Sequence, residues 1–157
     1  MKLINGNLIS LAQQGYFDVI VHGCNCFNTM GAGIARTIAE VFPEAEQADL
    51  ETTMGDKNKL GMFSLATHNR EVNGETKPLT IINAYTQYGF GRDKDHFEYE
   101  HFKTILKSLK ELYPNETIGL PLIGCGLAGG NKTEILNLIR YHLEGMNVTV
   151  VVFDNNQ

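Results

Sequence analysis

The chain has 157 residues, 43% of them hydrophobic and 20% charged. That size suits a single core, since one domain serves about 100–200 residues, and that composition excludes a wholly disordered or fibrous protein. Thirteen Lys and Arg against 18 Asp and Glu leave a net charge of -5, which argues against a general nucleic-acid coat, because binding a phosphate backbone needs many basic groups.

Phe17, Val19, Ile20 and Val21 form a short, β-branched apolar run that predicts a buried strand over 17–21, ending at His22-Gly23. The spacing of Ile34, Ile38, Val41 and Phe42 predicts a helix over 31–42, closed by Pro43. Strands are expected over 61–66 and 79–84, joined through the turn-rich Asn73-Gly74-Glu75, followed by an amphipathic helix on Phe102, Ile105, Leu106, Leu109 and Leu112. A strand over 117–122, a glycine loop over 124–130 and a helix with Ile135, Leu136, Ile139 and Leu143 inward come next. Asn131, with Glu134 three residues later, reads as the capping pair of that helix. The apolar run 148–153 predicts a last strand covered on both faces. The alternation predicts one α/β domain over 1–157, a three-layer α/β/α sandwich around a mixed, mostly parallel sheet, without linker or repeat.

Cys24, Cys26 and Cys125 form neither a zinc knuckle nor a C-x-x-C pair and are expected as reduced thiols. No run reaches the ~18 apolar residues of a membrane span, and no signal peptide opens the chain. A cytoplasmic protein that needs no metal or cofactor is expected.

Glycine is the unusual count, 16 residues against four prolines. Two clusters stand at strand-to-helix turns: Gly31-Ala32-Gly33, and 124–130 with Gly124, Gly126, Gly129 and Gly130. Helix N-termini present unsatisfied N–H groups and partial positive charge, so such turns can bring a phosphate to the main chain. Ligands of open α/β sheets bind outside the carboxyl ends of the strands, where both loops would lie, and together they could hold a diphosphate. The alternative is that each glycine only permits a tight turn. Gly124, Gly126 and Gly129 match the dinucleotide fingerprint, with Asp154 after the next strand, but a Rossmann nucleotide half would need more sheet than remains before Gln157. A P-loop is excluded by Asn131 before Lys132, and a thiol phosphatase loop by the lack of Arg six residues after any cysteine.

Asn5-Gly6-Asn7-Leu8-Ile9, then 21–26 with Met30-Gly31-Ala32-Gly33-Ile34-Ala35, then 121–127, together resemble the macro domain in order and spacing over essentially the whole chain. The similarity is greatest to the branch of ADP-ribose-1''-phosphate phosphatases and small ADP-ribosyl hydrolases, including phage-encoded forms, for which the host cytoplasm would be the location. The resemblance implies the macro domain fold and an ADP-ribose cleft above the sheet. Gly6, Asn7 and Leu8 fall at the adenine turn, with Asn7 where many members carry Asp, so that a neutral carbonyl would accept from the adenine amino group. Gly31, Ala32, Gly33, Ile34 and Ala35 fall at one diphosphate loop, and Ile123, Gly124, Cys125, Gly126, Leu127 and Ala128 at the other; Ile9, Met30 and Pro121 beside them are further ligand-binding candidates. Asn25 matches the asparagine facing the distal ribose, and Phe153 or Asn155 flanks the adenine.

One hydrolase group of this branch uses a Lys before the mobile loop and an Asp in the second glycine loop. Here those neighbourhoods read Ala84-Tyr85-Thr86 and Leu127-Ala128-Gly129. His22 stands beside the distal-ribose position, as in the phosphatase-like group. The expected activity is therefore hydrolysis of the terminal phosphate of ADP-ribose-1''-phosphate, with His22, Asn25 and Tyr85 as catalytic candidates. The alternatives are a non-catalytic ADP-ribose reader and a hydrolase removing ester-linked ADP-ribose from proteins. His22 can titrate near neutrality as a general acid or base, or can be a structural histidine. Residues 85–96 read as a loop able to close over the ribose, with Asp93, Asp95 and His96 in reserve. Lys57 and Lys59 are expected to face solvent. The expected partners are ADP-ribose, its 1''-phosphate and ADP-ribosylated proteins, with neither nucleic acid nor membrane, and the expected state is a monomer.

Overall fold

A computed structural model of the chain describes residues 1–90, 97–125 and 129–153. The elements run β1 (Lys2–Gly6), α1 (Leu8–Gln13), β2 (Val19–Cys24), α2 (Gly33–Val41), α3 (Pro43–Leu50), β3 (Phe63–Val72), β4 (Glu75–Tyr85), α4 (Tyr99–Leu112), β5 (Ile118–Leu120), α5 (Lys132–His142) and β6 (Val148–Phe153). The strands form one sheet in the order β1-β6-β5-β2-β4-β3, parallel throughout except for β3 against β4. This is the mixed, mostly parallel sheet of a three-layer α/β/α sandwich.

Alternation along the central strands sends side chains to both helical layers. Val19, Val21, Ile82, Leu120 and Val150 pack beneath Phe102, Ile105 and Leu109 of α4 and Ile135 and Ile139 of α5. Ile20, Ile81 and Val151 pack on the other side, against Leu8 and Ile9 of α1, Ile38 of α2 and Ala45 of α3. Each fully buried Ile, Leu or Phe contributes roughly 1.5–3 kcal/mol, enough to hold α4 and α5 by their apolar stripes, whereas α3 buries only Ala45 and Asp49.

The boundaries differ from expectation at identifiable places. Pro43 does close α2, but it also occupies the first turn of α3, where its missing N–H costs nothing. The hairpin of β3 and β4 runs to a two-residue turn with Asn73 at φ 52° and Gly74 at φ 80°, the paired positive φ values that suit a tight hairpin. Asn131 Oδ1 accepts from Glu134 N at 3.0 Å, as expected of the cap, while Asn131 N donates to the Tyr99 hydroxyl at 2.8 Å.

Candidate functional site

The five parallel strands end on one edge of the sandwich, and a cleft of about 930 Å³ opens there. Asn7 after β1, Gly23 to Asn25 at the end of β2, Gln87 and Phe90 after β4, Pro121 to Cys125 after β5, and Phe153 of β6 all line it. Gly31 to Ala35, together with Thr37, form the wall at the start of α2. No Asp, Glu, His, Lys or Arg lines the cleft among the described residues. An anion entering it would therefore meet main-chain N–H groups, side-chain amides and hydroxyls.

Helix α2 gives this wall its chemistry. Its N-cap is Ala32, which offers no side-chain acceptor, and no acidic residue stands in its first turn. The first N–H groups of a helix have no intrahelical partner, and here no cap takes them. Gly31, Ala32, Gly33, Ile34 and Ala35, around this helix start, line the cleft. A Cβ built on Gly31 or Gly33 would meet nothing within 4 Å, so that side of the backbone is open to a ligand. Opposite, Gly124 holds φ +77° and its carbonyl accepts from Gly130 N at 2.5 Å, pinching the neck of the second glycine loop.

The ends of the cleft differ. Phe153, 67% exposed, presents an aromatic face beside Leu8 and Ile9 at one end, a surface on which a base can stack. Phe90, 60% exposed, stands at the other, edge-on to Phe27. Asn25 lines this second end, with its amide already oriented. Its Nδ2 donates to Thr29 O at 3.1 Å and Thr29 Oγ1 at 2.8 Å, and its Oδ1 accepts from Phe27 N at 2.8 Å. Behind Gly23, the Thr86 hydroxyl is buried without a partner among the described residues, 2.8 Å from where a Cβ on residue 23 would stand. Glycine at position 23 leaves room for it.

Of the residues singled out in the sequence, Asn7, Leu8, Ile9, Asn25, Gly31, Ala32, Gly33, Ile34, Ala35, Pro121, Ile123, Gly124, Cys125 and Phe153 line the cleft. Gly126, Leu127, Ala128, Asp93, Asp95, His96, Asp154 and Asn155 lie outside the described residues. Gly6 and Met30 are corrections: both are buried and absent from the lining, with Met30 in the core beside α2. Asn7 is on the wall, yet its Oδ1 already accepts from Ser10 N at 3.0 Å as the N-cap of α1.

His22 and Tyr85 are corrections of larger consequence. Both are buried against α3 rather than lining the cleft. His22 Nε2 donates to Asn83 Oδ1 at 2.7 Å, and Asn83 Nδ2 donates to Ala45 O at 2.9 Å and Ser64 Oγ at 3.0 Å. Burial, opposed by the Asn83 bond, pushes the His22 pKa down to about 4, so the ring is neutral near pH 7 and serves as a structural donor. The Tyr85 hydroxyl donates to Asp49 Oδ1 at 2.7 Å and lies 2.8 Å from Ser64 Oγ. Burial raises its pKa. Burial likewise raises all three thiols, so none is an activated nucleophile. Lys59 is a third correction, buried at 7% exposure, whereas Lys57 is exposed above the Tyr88 ring.

Sequence reasoning missed Gly23, Cys24, Thr29, Thr37, Leu122, Val151 and Val152 as lining residues. Gly23, Cys24 and Leu122 lie inside the motifs, Thr29 and Thr37 one or two residues outside them, and Val151 and Val152 on the last strand, and these positions were the available signal. Gln87 and Phe90 fell within the expected closing loop without being singled out.

No protein-family model matches the chain. It is 33% identical, over 96% of its length and 95% of the relative's, to an uncharacterized 17.5 kDa protein from the tk-vs intergenic region of Enterobacteria phage T4. Among solved structures, the macrodomain of Thermus aquaticus DarG superposes with a TM-score of 0.66 at 21% identity, covering 98% of this chain and 97% of that one. Thermosipho africanus DarTG in complex with ADP-ribose superposes with a TM-score of 0.74 at 15% identity, covering 100% of this chain and 43% of that one. The chain therefore belongs to one family with the phage T4 protein, and its fold is that of the macro domain.

Proposed function

We propose that the chain binds ADP-ribose in this cleft, with the adenine against Phe153, the diphosphate between the α2 N-terminus and the Gly124 loop, and the distal ribose toward Asn25 and Gln87. The observation that carries the reading is the uncapped start of α2, opening through Gly31 and Gly33 into a cleft whose described lining holds no charged side chain. Backbone N–H groups at a helix N-terminus favour a diphosphate without basic side chains, which reconciles an anionic ligand with a chain of net charge -5. The Thermosipho africanus complex supports the choice of ligand, since a protein that contains this fold was solved with ADP-ribose.

Within this reading, the chain acts as a reader of ADP-ribose, free or attached to protein. The described lining supplies donors and a shaped wall but no acid or base: His22 and Tyr85 lie in the core, and the Cys125 thiol is held protonated by burial. Hydrolysis of the 1''-phosphate, the activity expected from the motifs, would need a proton acceptor from outside the described residues.

Calorimetry with ADP-ribose, followed by incubation with ADP-ribose-1''-phosphate and with an ester-linked ADP-ribosyl protein, separates these readings. Saturable one-site binding without release of phosphate or ADP-ribose is the expected result. Turnover of either substrate would replace the reader by the corresponding enzyme, and absence of heat at about millimolar ligand would remove ADP-ribose altogether.

A further inference from the structure

Lys59 ends a short 3-10 turn, Lys57–Lys59, and does not line the cleft, although its ammonium reaches the 25–29 rim that does. Its ammonium is buried and makes three hydrogen bonds: to Cys26 O at 2.9 Å, Asn28 Oδ1 at 2.6 Å and Thr52 Oγ1 at 2.9 Å. The same nitrogen lies 4.9 Å from the Tyr85 ring centre. Three N–H donors thus meet three acceptors, the arrangement a buried ammonium needs if its desolvation is to be offset.

Two of those acceptors belong to the loop that carries Asn25 and Thr29 into the cleft. Asn28 is left-handed at φ 57°, a conformation that costs a non-glycine residue about 1–2 kcal/mol, and both ends of its amide are held. Oδ1 accepts a hydrogen bond from Lys59 Nζ, and Nδ2 donates to Thr52 O at 2.7 Å. Gly55 N also donates to Cys26 O at 2.7 Å, and Cys26 N donates to Tyr88 O at 3.0 Å. Segments 52–59 and 85–90 therefore brace the rim from outside, with Lys59 reaching its centre.

We propose that Lys59 is a positioning residue for the ligand site: its buried ammonium fixes the 25–29 rim in the geometry that meets the part of the ligand beyond the diphosphate. The proposal rests on the ADP-ribose reading above and adds a residue that touches no ligand. Lys59→Met keeps the stem and removes the three donors. Asn28→Gly keeps the left-handed backbone accessible and removes only the side-chain clamp.

The test measures affinity for ADP-ribose and for ADP, which lacks the distal ribose, in wild type and both variants, with a thermal melt to establish folding. Wild type should bind both nucleotides. The folded variants should lose roughly tenfold or more in ADP-ribose affinity, the scale expected when a supporting hydrogen bond is lost, while ADP affinity stays within about threefold. Should Lys59→Met fail to fold, Asn28→Gly decides alone. ADP-ribose affinity within about threefold of wild type in the folded variants, or equal losses for both nucleotides, overturns the positioning role and leaves the ADP-ribose reading intact. A wild type that binds neither nucleotide refutes that reading and the role with it.

Discussion

Replacing Gly124 by alanine places a methyl group where the structure has no room. The residue sits at φ +77°, and an added Cβ would lie 2.2 Å from Phe97 Cδ1 and 2.6 Å from Cε1. The ring has little freedom to retreat, because Phe97 is buried and packs edge-on against Tyr99 at 5.1 Å and Phe102 at 5.4 Å between ring centres. A left-handed alanine costs about 1–2 kcal/mol, and overpacking a filled site costs about 1–3 kcal/mol. The sum is roughly 2–5 kcal/mol of folding stability. Urea unfolding should show this as a lower midpoint at unchanged slope. Adding Phe97→Leu should recover part of the overpacking but none of the backbone cost, a coupling that a double-mutant cycle reads directly. A loss under about 1 kcal/mol, or no coupling to Phe97, would refute the reasoning.

Gly31→Ala is the complementary case. Its Cβ meets nothing within 4 Å, so stability should change by less than about 0.5 kcal/mol while ADP-ribose affinity falls roughly tenfold, as the methyl group occupies ligand space; unchanged affinity would move the diphosphate elsewhere. His22 predicts an acid limb. Its folded pKa of about 4 lies below the unfolded 6.5, so the unfolded state takes up the proton first. Stability present above pH 6.5 is then lost as pH falls toward 4, by about 2.5 kcal/mol between pH 7 and pH 4.5. Unfolding of His22→Gln should lack most of that limb, and an identical limb would assign it to other groups. Tyr85→Phe removes the donor to buried Asp49 and should cost about 1.5–3 kcal/mol with ADP-ribose affinity unchanged. A selective loss of affinity would return Tyr85 to the site.

The elements legible in the sequence were those whose apolar spacing reflects burial. Strand β6 and the inward stripes of α4 and α5 lie where periodicity put them, with Val150, Phe102 and Ile139 fully buried, except that Leu112 at the end of α4 is exposed. Strand β1 was not legible: Lys2 to Asn5 are all exposed along the sheet edge, so neither alternation nor a continuous apolar run marks them. Helix α3 was hidden by Pro43, which signals both an ending and a beginning, and by the lack of any large apolar residue before Leu50 in Pro43–Leu50. Within the site, the two glycine clusters of the sequence stand on the cleft for different reasons: the backbone at Gly31 and Gly33 is open, whereas Gly124 is required by its positive φ and by Phe97. The choice between the two readings of His22, and the burial of Tyr85 and Lys59, were not legible because long-range partners decide them: Asn83 is 61 residues from His22, Asp49 is 36 from Tyr85, and Cys26 is 33 from Lys59.

The central claim is that ADP-ribose enters the glycine-walled cleft, and amide chemical shifts during an ADP-ribose titration test it residue by residue. The account predicts saturable shifts concentrated at Gly31 to Ala35 and at Gly124 and Cys125, with ring-current changes around Phe153. Saturable shifts centred elsewhere, or none at about millimolar ADP-ribose, would contradict it.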